Sequence, residues 1–217
     1  MIPQKTQITA FFDKKRGQPS PPEGLSLRIK GVEIPITPEQ KYLGLWVDGV
    51  RSFSGHVDQV VRRAKLVANN LSRLLPNLGG AGGRVRRLYV AVVHAVMLYG
   101  APIWWQKVGG SRTLRNKLLS VQRIIATRAA RACRTVAHAG ATTLAGIPLA
   151  HLLARSYAEV YEGACLVRER LGVVTPDIRK TLRQNARATL LPRWKDWAFQ
   201  QEFGRRVIDA VHPVFEE

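Results

Sequence analysis

The chemistry that this sequence can offer is concentrated in arginine and lysine side chains along a segment without a single carboxylate. No Asp or Glu occurs between Asp58 and Glu159. The basic residues of this segment are Arg62, Arg63, Lys65, Arg73, Arg84, Arg86, Arg87, Lys107, Arg112, Arg115, Lys117, Arg123, Arg128, Arg131, Arg134 and Arg155. Because charges of one sign repel one another, we expect the counter-charge to come from a partner, and a polyphosphate is the obvious one. The gap also excludes any metal or acid–base site built on Asp or Glu within it.

Composition supports a folded, basic protein. The chain has 217 residues, of which 46% are hydrophobic, so most of it is expected to fold around a core. Its formal net charge is +19, with a sequence pI of about 11.0. Arginine outnumbers lysine, which favours bidentate recognition of phosphate over simple solubility.

Metal and nucleophile chemistry find little support in the sequence. Cys133 and Cys165 belong to no CxxC or Cys/His cluster, so zinc is not expected, and both are interpreted as reduced core thiols. His94 lies in an apolar run and is interpreted as a core histidine with its hydrogen bonds satisfied. An enzyme site assembled from His94, His138 or His151 is an alternative, although no acid or nucleophile stands near them in sequence.

No targeting or membrane signal is recognisable. The N-terminus lacks a charged-then-apolar leader pattern, and no run of about 18 apolar residues occurs. The sequence therefore predicts an intracellular protein, cytoplasmic or nuclear or both, with no membrane partner.

The first fifty residues show β patterns. Residues 7–13 mix β-branched and aromatic side chains, and a Pro-rich loop follows over residues 14–24. Residues 25–29 alternate at period two, Lys30-Gly31 can form a turn, and residues 32–36 complete a hairpin. Residues 41–47 are predicted to form one further short strand. A sheet this small would have an exposed edge.

From Ser54 the apolar period changes to that of a helix. Helices are predicted over residues 54–76, 84–99, 111–133, 148–171, 176–189 and 192–203, with a short helical patch at 141–146. Ser111 is a plausible N-cap of the third helix. Trp194 and Trp197 are interpreted as packing residues. The predicted fold class is α+β and mostly α: short N-terminal antiparallel strands followed by an α-helical bundle.

The third predicted helix carries a face of one charge. Arg112, Arg123 and Arg134 are spaced by eleven residues, close to a whole number of helical turns, so they are predicted to stack along the helix. A solvated face normally mixes signs, and this one is only positive. Together with the basic start of the second helix, it defines the candidate nucleic-acid-binding residues: Arg84, Arg86, Arg87, Arg112, Arg115, Arg123, Arg131 and Arg134.

Short motifs occur in a recognisable order along residues 2–170. They are Lys5-Thr6, Leu27-Arg28-Ile29 with Gly31, Lys41-Tyr42-Leu43-Gly44 with Asp48, Phe53 and His56, Leu71-Ser72-Arg73-Leu74, Tyr99-Gly100-Ala101-Pro102-Ile103-Trp104, Val121-Gln122-Arg123, Cys133-Arg134-Thr135-Val136 and Ala145-Gly146-Ile147-Pro148. In order and spacing they resemble the reverse transcriptase of non-LTR (LINE-type) retrotransposons, especially the jockey-like and ribosomal-DNA-inserting arthropod lineages.

The resemblance implies a division of the chain and a partner. Residues 1–50 would be the end of a polymerase palm, 51–172 an α-helical thumb, and 173–217 a helical extension. Lys5 and Thr6 would lie just after the catalytic turn, and Lys41, Tyr42, Leu43 and Gly44 would belong to a hairpin resembling the primer grip. The implied partner is RNA or an RNA–DNA duplex, which a thumb contacts through its backbone.

The departures from the family concern catalysis. Polymerases of this type hold two Mg²⁺ ions with clustered carboxylates, and this chain contains no Asp-Asp pair. We therefore expect a truncated reverse transcriptase that binds nucleic acid but has no cofactor and no polymerase activity alone. The missing polymerase half or another chain would cover the sheet edge. The alternative is a domesticated or independent nucleic-acid-binding protein that no longer uses its polymerase ancestry.

Overall fold

The structure is a computed structural model that describes residues 6–13, 17–22, 24–76, 78 and 80–215. The chain divides into two compact units, Met1–Gln59 and Val60–Glu217. The elements of the described residues are strands β1 (Ser26–Ile29), β2 (Val32–Pro35), β3 (Glu39–Tyr42) and β4 (Leu45–Asp48), and helices α1 (Ser54–Ser72), α2 (Gly83–Met97), α3 (Ala101–Gly110), α4 (Arg112–Ala129), α5 (His138–Leu144), α6 (Ala150–Leu171), α7 (Pro176–Phe199) and α8 (Arg205–Val211). The predicted α+β, mostly α class is confirmed. The predicted three-part division of the chain stays a prediction.

The first unit contains two β-hairpins. Strands β1 and β2 pair antiparallel, and the predicted turn at Lys30-Gly31 is confirmed, with φ of 50° and 81°. Two other predictions were wrong. Residues 41–47 form the antiparallel hairpin β3–β4 instead of one strand, because Leu43 and Gly44 adopt φ of 47° and 88° and reverse the chain. Residues 7–13 contribute a single parallel bridge, from Ile8 to Ile36, instead of a strand.

Two prolines act differently from the sequence prediction. Pro102 follows the predicted helix at 84–99 and lies in the first turn of α3, a helix that was not predicted. Proline suits a first turn because no intrahelical partner is lost there. Pro192 was expected to separate two helices, but it lies inside the continuous helix α7. The buried stripe of Ala186, Leu190, Trp194 and Ala198 runs past Pro192, so packing outweighs the lost hydrogen bond. Helix α8 was also missed.

Helix α4 is the central support of the second unit. Its predicted N-cap is confirmed, since the Oγ of Ser111 accepts a hydrogen bond from the Leu114 amide at 3.4 Å. The side chain of Gln122 is fully buried, donates to the Pro148 carbonyl at 2.5 Å and accepts from the Ala150 amide at 2.9 Å. One side chain thereby fixes the start of α6 against α4 without leaving a buried amide unpaired.

One part of the core of this unit lies around α7. Trp194 belongs to a buried cluster with Leu149, Ile208 and Phe215, so its interpretation as a packing residue is confirmed. Within the described residues no single helix is long and apolar enough to cross a membrane. Helices α2 and α3 pass that test only as a pair, and they are bent by 84°.

Candidate nucleic-acid interface

A groove of about 520 Å³ lies beside the C-terminal half of α4, and we call it the α4 groove. Its lining residues are Asn69, Ser72, Arg123, Ile124, Thr127, Arg128, Ala132 and Arg134. Three are arginines, three carry uncharged hydrogen-bonding groups, and none of these lining residues is a carboxylate. The groove therefore combines positive charge with hydrogen-bond donors, which is what a phosphate backbone requires.

Two of the eight candidate arginines, Arg123 and Arg134, meet at this groove. The reason differs from the predicted one. Helix α4 ends at Ala129, so Arg134 lies in the following loop and the line with Arg112 and Arg123 does not exist. The Nη2 of Arg123 instead makes long hydrogen bonds of 3.4 Å to the carbonyls of Arg134 and Val136, which hold that loop beside the helix.

Arg86 does not fit the predicted role. Its side chain is buried, and its guanidinium donates to three carbonyls: Ala81 at 3.0 Å, Arg128 at 2.5 Å and Pro76 at 2.6 Å. Burial lowers its pKa, with further contributions from the charges of Arg131 and Arg128. Arg86 therefore ties the loop before α2 to the end of α4, and its donors are not available to a surface phosphate.

Arg131 and Arg128 reinforce the same connection. The Nη2 of Arg131, an exposed candidate residue, donates to the carbonyls of Gly80 at 3.4 Å and Ala81 at 3.2 Å. The Nη1 of Arg128 donates to the Leu75 carbonyl at 3.3 Å. A carbonyl satisfies a guanidinium N–H but does not neutralise its charge. The arginines of this region are thus oriented by the backbone while their positive charge remains.

The other four candidate arginines lie elsewhere in the second unit. Arg84 and Arg112 are exposed. Arg87 is exposed and lines a different pocket, between α6 and α7. Arg115 donates to the Gly109 carbonyl at 2.7 Å, and its charge contributes to the lowered pKa of His151. The structure therefore does not gather the eight candidates into one face.

The primer-grip-like candidates form the tip of the β3–β4 hairpin in the first unit. Lys41 and Tyr42 end β3, and Leu43 and Gly44 make the turn. Tyr42 and Leu43 are 63% and 75% exposed, which leaves the tip accessible. Thr6 lies in irregular chain before the Ile8 bridge, and Lys5 lies outside the described residues.

The candidate histidines are half-buried, and each has one ring nitrogen shielded from solvent. Burial lowers the pKa of His94, His138 and His151 to about 4, and the charge of Arg123 adds to this effect at His138. The prediction that His94 has its hydrogen bonds satisfied was wrong, because its buried Nε2 has no partner among the described residues.

Metal ligands and thiols were the other sequence candidates. Across the described part of the chain, no group of three or more His, Cys, Asp or Glu side chains could hold a metal ion. The Mg²⁺ ions of reverse transcriptases therefore find no fitting donor set there. Cys133 was predicted to be a core thiol and is exposed, because it follows the end of α4; Cys165 is half-buried. Both thiols are free.

Sequence reasoning missed several residues of the α4 groove. Asn69 and Ser72 lie on α1, and Thr127 and Arg128 lie on α4. Arg128 could have been found from its place in the carboxylate-free segment. Nothing in the sequence marks Asn69 and Ser72, because they reach the groove only through the packing of two helices.

Comparison with known proteins gives two relatives. The chain is 28% identical over 191 residues, 83% of its length, to the putative 115 kDa protein in type-1 retrotransposable element R1DM of Drosophila melanogaster. It is 32% identical over 102 residues, 44% of its length, to the retrovirus-related Pol polyprotein from type-1 retrotransposable element R1 3 of Nasonia vitripennis. The matches span 18% and 27% of those proteins. No family model and no solved structure matches.

Proposed function

Because this chain is a non-LTR retrotransposon-derived protein related to those of R1 elements, we propose that its α4 groove binds the sugar–phosphate backbone of RNA or of an RNA–DNA duplex. The α-helical second unit would then act as the thumb of a reverse transcriptase, and the exposed tip of the β3–β4 hairpin would approach the primer end. Binding would be independent of sequence, since phosphates carry no base information.

The observation that carries this proposal is a groove lined by three arginines, two of them held by carbonyls, with no carboxylate among its lining residues. A lining acid would neutralise a guanidinium and repel phosphate, so its absence matters as much as the arginines do. Arg123 has a particular capacity to bind. Its Nη2 makes two long contacts, and its other N–H groups donate to no described residue.

A double substitution tests the α4 groove directly. We expect R123Q/R134Q to lower affinity for an RNA–DNA duplex about tenfold at low salt, because two phosphate contacts lose their charge. The slope of log K against log salt should become shallower by about one to two. Filter binding across a salt series measures both.

The control removes the same charge elsewhere. R168Q/R170Q changes two exposed arginines of α6 that do not line the groove. An equal loss in both double variants would show that net charge alone drives binding and would contradict a defined groove. An affinity that does not respond to salt in the unsubstituted protein would contradict phosphate recognition altogether.

A further inference from the structure

A second pocket of the helical unit, which we call the α6–α7 pocket, has a different construction from the α4 groove. It has a volume of about 940 Å³, in the upper range for ligand sites, and lies between α2, the α5–α6 connection, α6 and α7. Arg87, Arg183 and Arg187 line it, and no Asp or Glu is among its described lining residues. It shares none of the residues that line the α4 groove.

The three arginines of this pocket have no ion-pair partner among the described residues. Arg87, Arg183 and Arg187 make no hydrogen bond or ion pair with any described residue. Two other arginines, one on α6 and one on α7, behave differently. Arg155 and Arg193 both pair with Glu159, at 2.9 Å and 3.3 Å. The pocket thus presents three guanidinium groups whose donors are free for an anion, with a charge that suits a phosphate better than a single carboxylate.

Two buried polar atoms in the lining have no partner. The side chains of Trp194 and Thr143 are each only 4% exposed. The Nε1 of Trp194 and the Oγ1 of Thr143 find no hydrogen-bond partner in the described structure. A buried donor without an acceptor destabilises the folded protein. Both residues line the pocket, and a ligand whose polar ring atoms reached these two groups would satisfy them.

The apolar part of the lining is aromatic. Trp194 and Phe215 pack with ring centroids 4.7 Å apart, and Tyr157 also lines the pocket. Trp194 and Phe215 are buried, whereas Tyr157 is 48% exposed and offers a flat surface on which a nucleobase can stack. An aliphatic tail would use the apolar contact but would leave Trp194 Nε1 and Thr143 Oγ1 unpaired.

We propose that the α6–α7 pocket binds a nucleoside phosphate, with the phosphate held by Arg87, Arg183 and Arg187 and the base against the Trp194–Thr143 side. This site is separate from the α4 groove and does not depend on backbone binding there. The nucleotide can be free or can be the unpaired end of a nucleic-acid strand, since both present the same chemistry.

Calorimetric titration of the full chain with AMP tests the pocket, with adenosine, inorganic phosphate and dodecyl phosphate as comparison probes. We expect AMP to bind at least tenfold more tightly than each of the other three. Phosphate binding as tightly as AMP would mean that no base is recognised, and tighter binding of dodecyl phosphate would identify an amphiphile pocket. Either result, or the absence of AMP binding, overturns the proposal.

Variants locate the binding. R183Q/R187Q should weaken AMP at least tenfold, whereas the matched α6 control R168Q/R170Q and the groove variant R123Q/R134Q should leave it unchanged. T143V keeps the side-chain volume, removes the hydroxyl, and should weaken AMP a few-fold without affecting phosphate. An equal effect of R168Q/R170Q would place the binding outside the pocket.

Duplexes with and without an unpaired end then separate a strand terminus from a free nucleotide as the source.

Discussion

Arginine side chains bond to different acceptors in two regions of the molecule, the end of α4 and the contact between α6 and α7. Near α4, the guanidinium groups of Arg86, Arg123, Arg128 and Arg131 donate to main-chain carbonyls. Between α6 and α7, Glu159 accepts hydrogen bonds from Arg155, Arg193 and Thr189. The carbonyl partners leave each positive charge in place, whereas the carboxylate offsets it. A positive surface therefore depends on what the arginines bond to, and not only on how many there are.

The pKa of Glu159 shows that arginines between α6 and α7 are paired with a charged carboxylate. Burial alone would raise it, but the hydrogen bonds from Arg155, Thr189 and Arg193 outweigh that effect and lower it. The carboxylate is thus charged in the folded protein and joins two helices. At the end of α4, arginines join the helix to the neighbouring loop by bonding to backbone carbonyls. Their charge is not neutralised and remains available to a partner.

The largest expected effect comes from removing the buried carbonyl-bound arginine. Arg86→Met should lower the free energy of unfolding by about 3 kcal/mol, because the carbonyls of Pro76, Ala81 and Arg128 lose charged donors. Urea denaturation measures the loss. Arg84→Met, on the exposed part of the same helix, is the control and should change stability by less than about 0.5 kcal/mol. Equal stability of the two variants would refute the assigned role of Arg86.

Acidification should destabilise the protein through its partly buried histidines. The pKa values of His94, His138 and His151 are lowered to about 4, below the value of about 6.5 in an unfolded chain. Between these values the unfolded state binds more protons. The stability contribution is therefore complete above pH 6.5 and is lost as the pH falls towards 4.

His94, the most deeply buried of the three, should account for a measurable part of the stability lost on acidification. His94 alone should contribute up to roughly 3 kcal/mol to the difference between pH 7 and pH 4. His94→Leu should therefore flatten the pH dependence of urea denaturation. An unchanged pH profile in that variant would show that His94 is not held neutral by burial.

A new carboxylate in the α4 groove should neutralise its arginines, as Glu159 does for the arginines between α6 and α7. Thr127 lies one turn after Arg123 and lines the groove. Thr127→Glu should lower affinity for an RNA–DNA duplex about tenfold while changing stability by less than about 0.5 kcal/mol. Thr127→Gln is the neutral control of the same length and should retain binding. Comparable losses for Glu and Gln would mean that side-chain bulk, not charge, controls the groove.

The smallest effect is expected at the carboxylate itself. Glu159→Gln should destabilise the protein by about 1 kcal/mol, because its two ion pairs are partly exposed and screened. Duplex affinity should not fall, since the change removes a negative charge. Reduced duplex binding together with unchanged stability would reverse the roles assigned to the two regions.

The sequence predicted local features well and composite sites poorly. The Lys30-Gly31 turn and the Ser111 N-cap depend on a few neighbouring residues, and both are confirmed. Leu43 adopts positive φ in a turn that its residue type disfavours, so the β3–β4 hairpin was predicted as one strand. Arg134 was assigned to a helix that ends earlier, although it does reach the groove with Arg123.

By itself, the sequence determined the excess of positive charge, the absence of carboxylates from Asp58 to Glu159, the α+β class and the relationship to R1 retrotransposon proteins. Those properties follow from residue identities and short-range patterns. Only the tertiary structure decided which arginines bond to carbonyls, which pair with Glu159, and which line a pocket without a partner. Most of these partners are distant in sequence. The tertiary structure decides them because the contacts of a guanidinium depend on helix packing and not on its position in the chain.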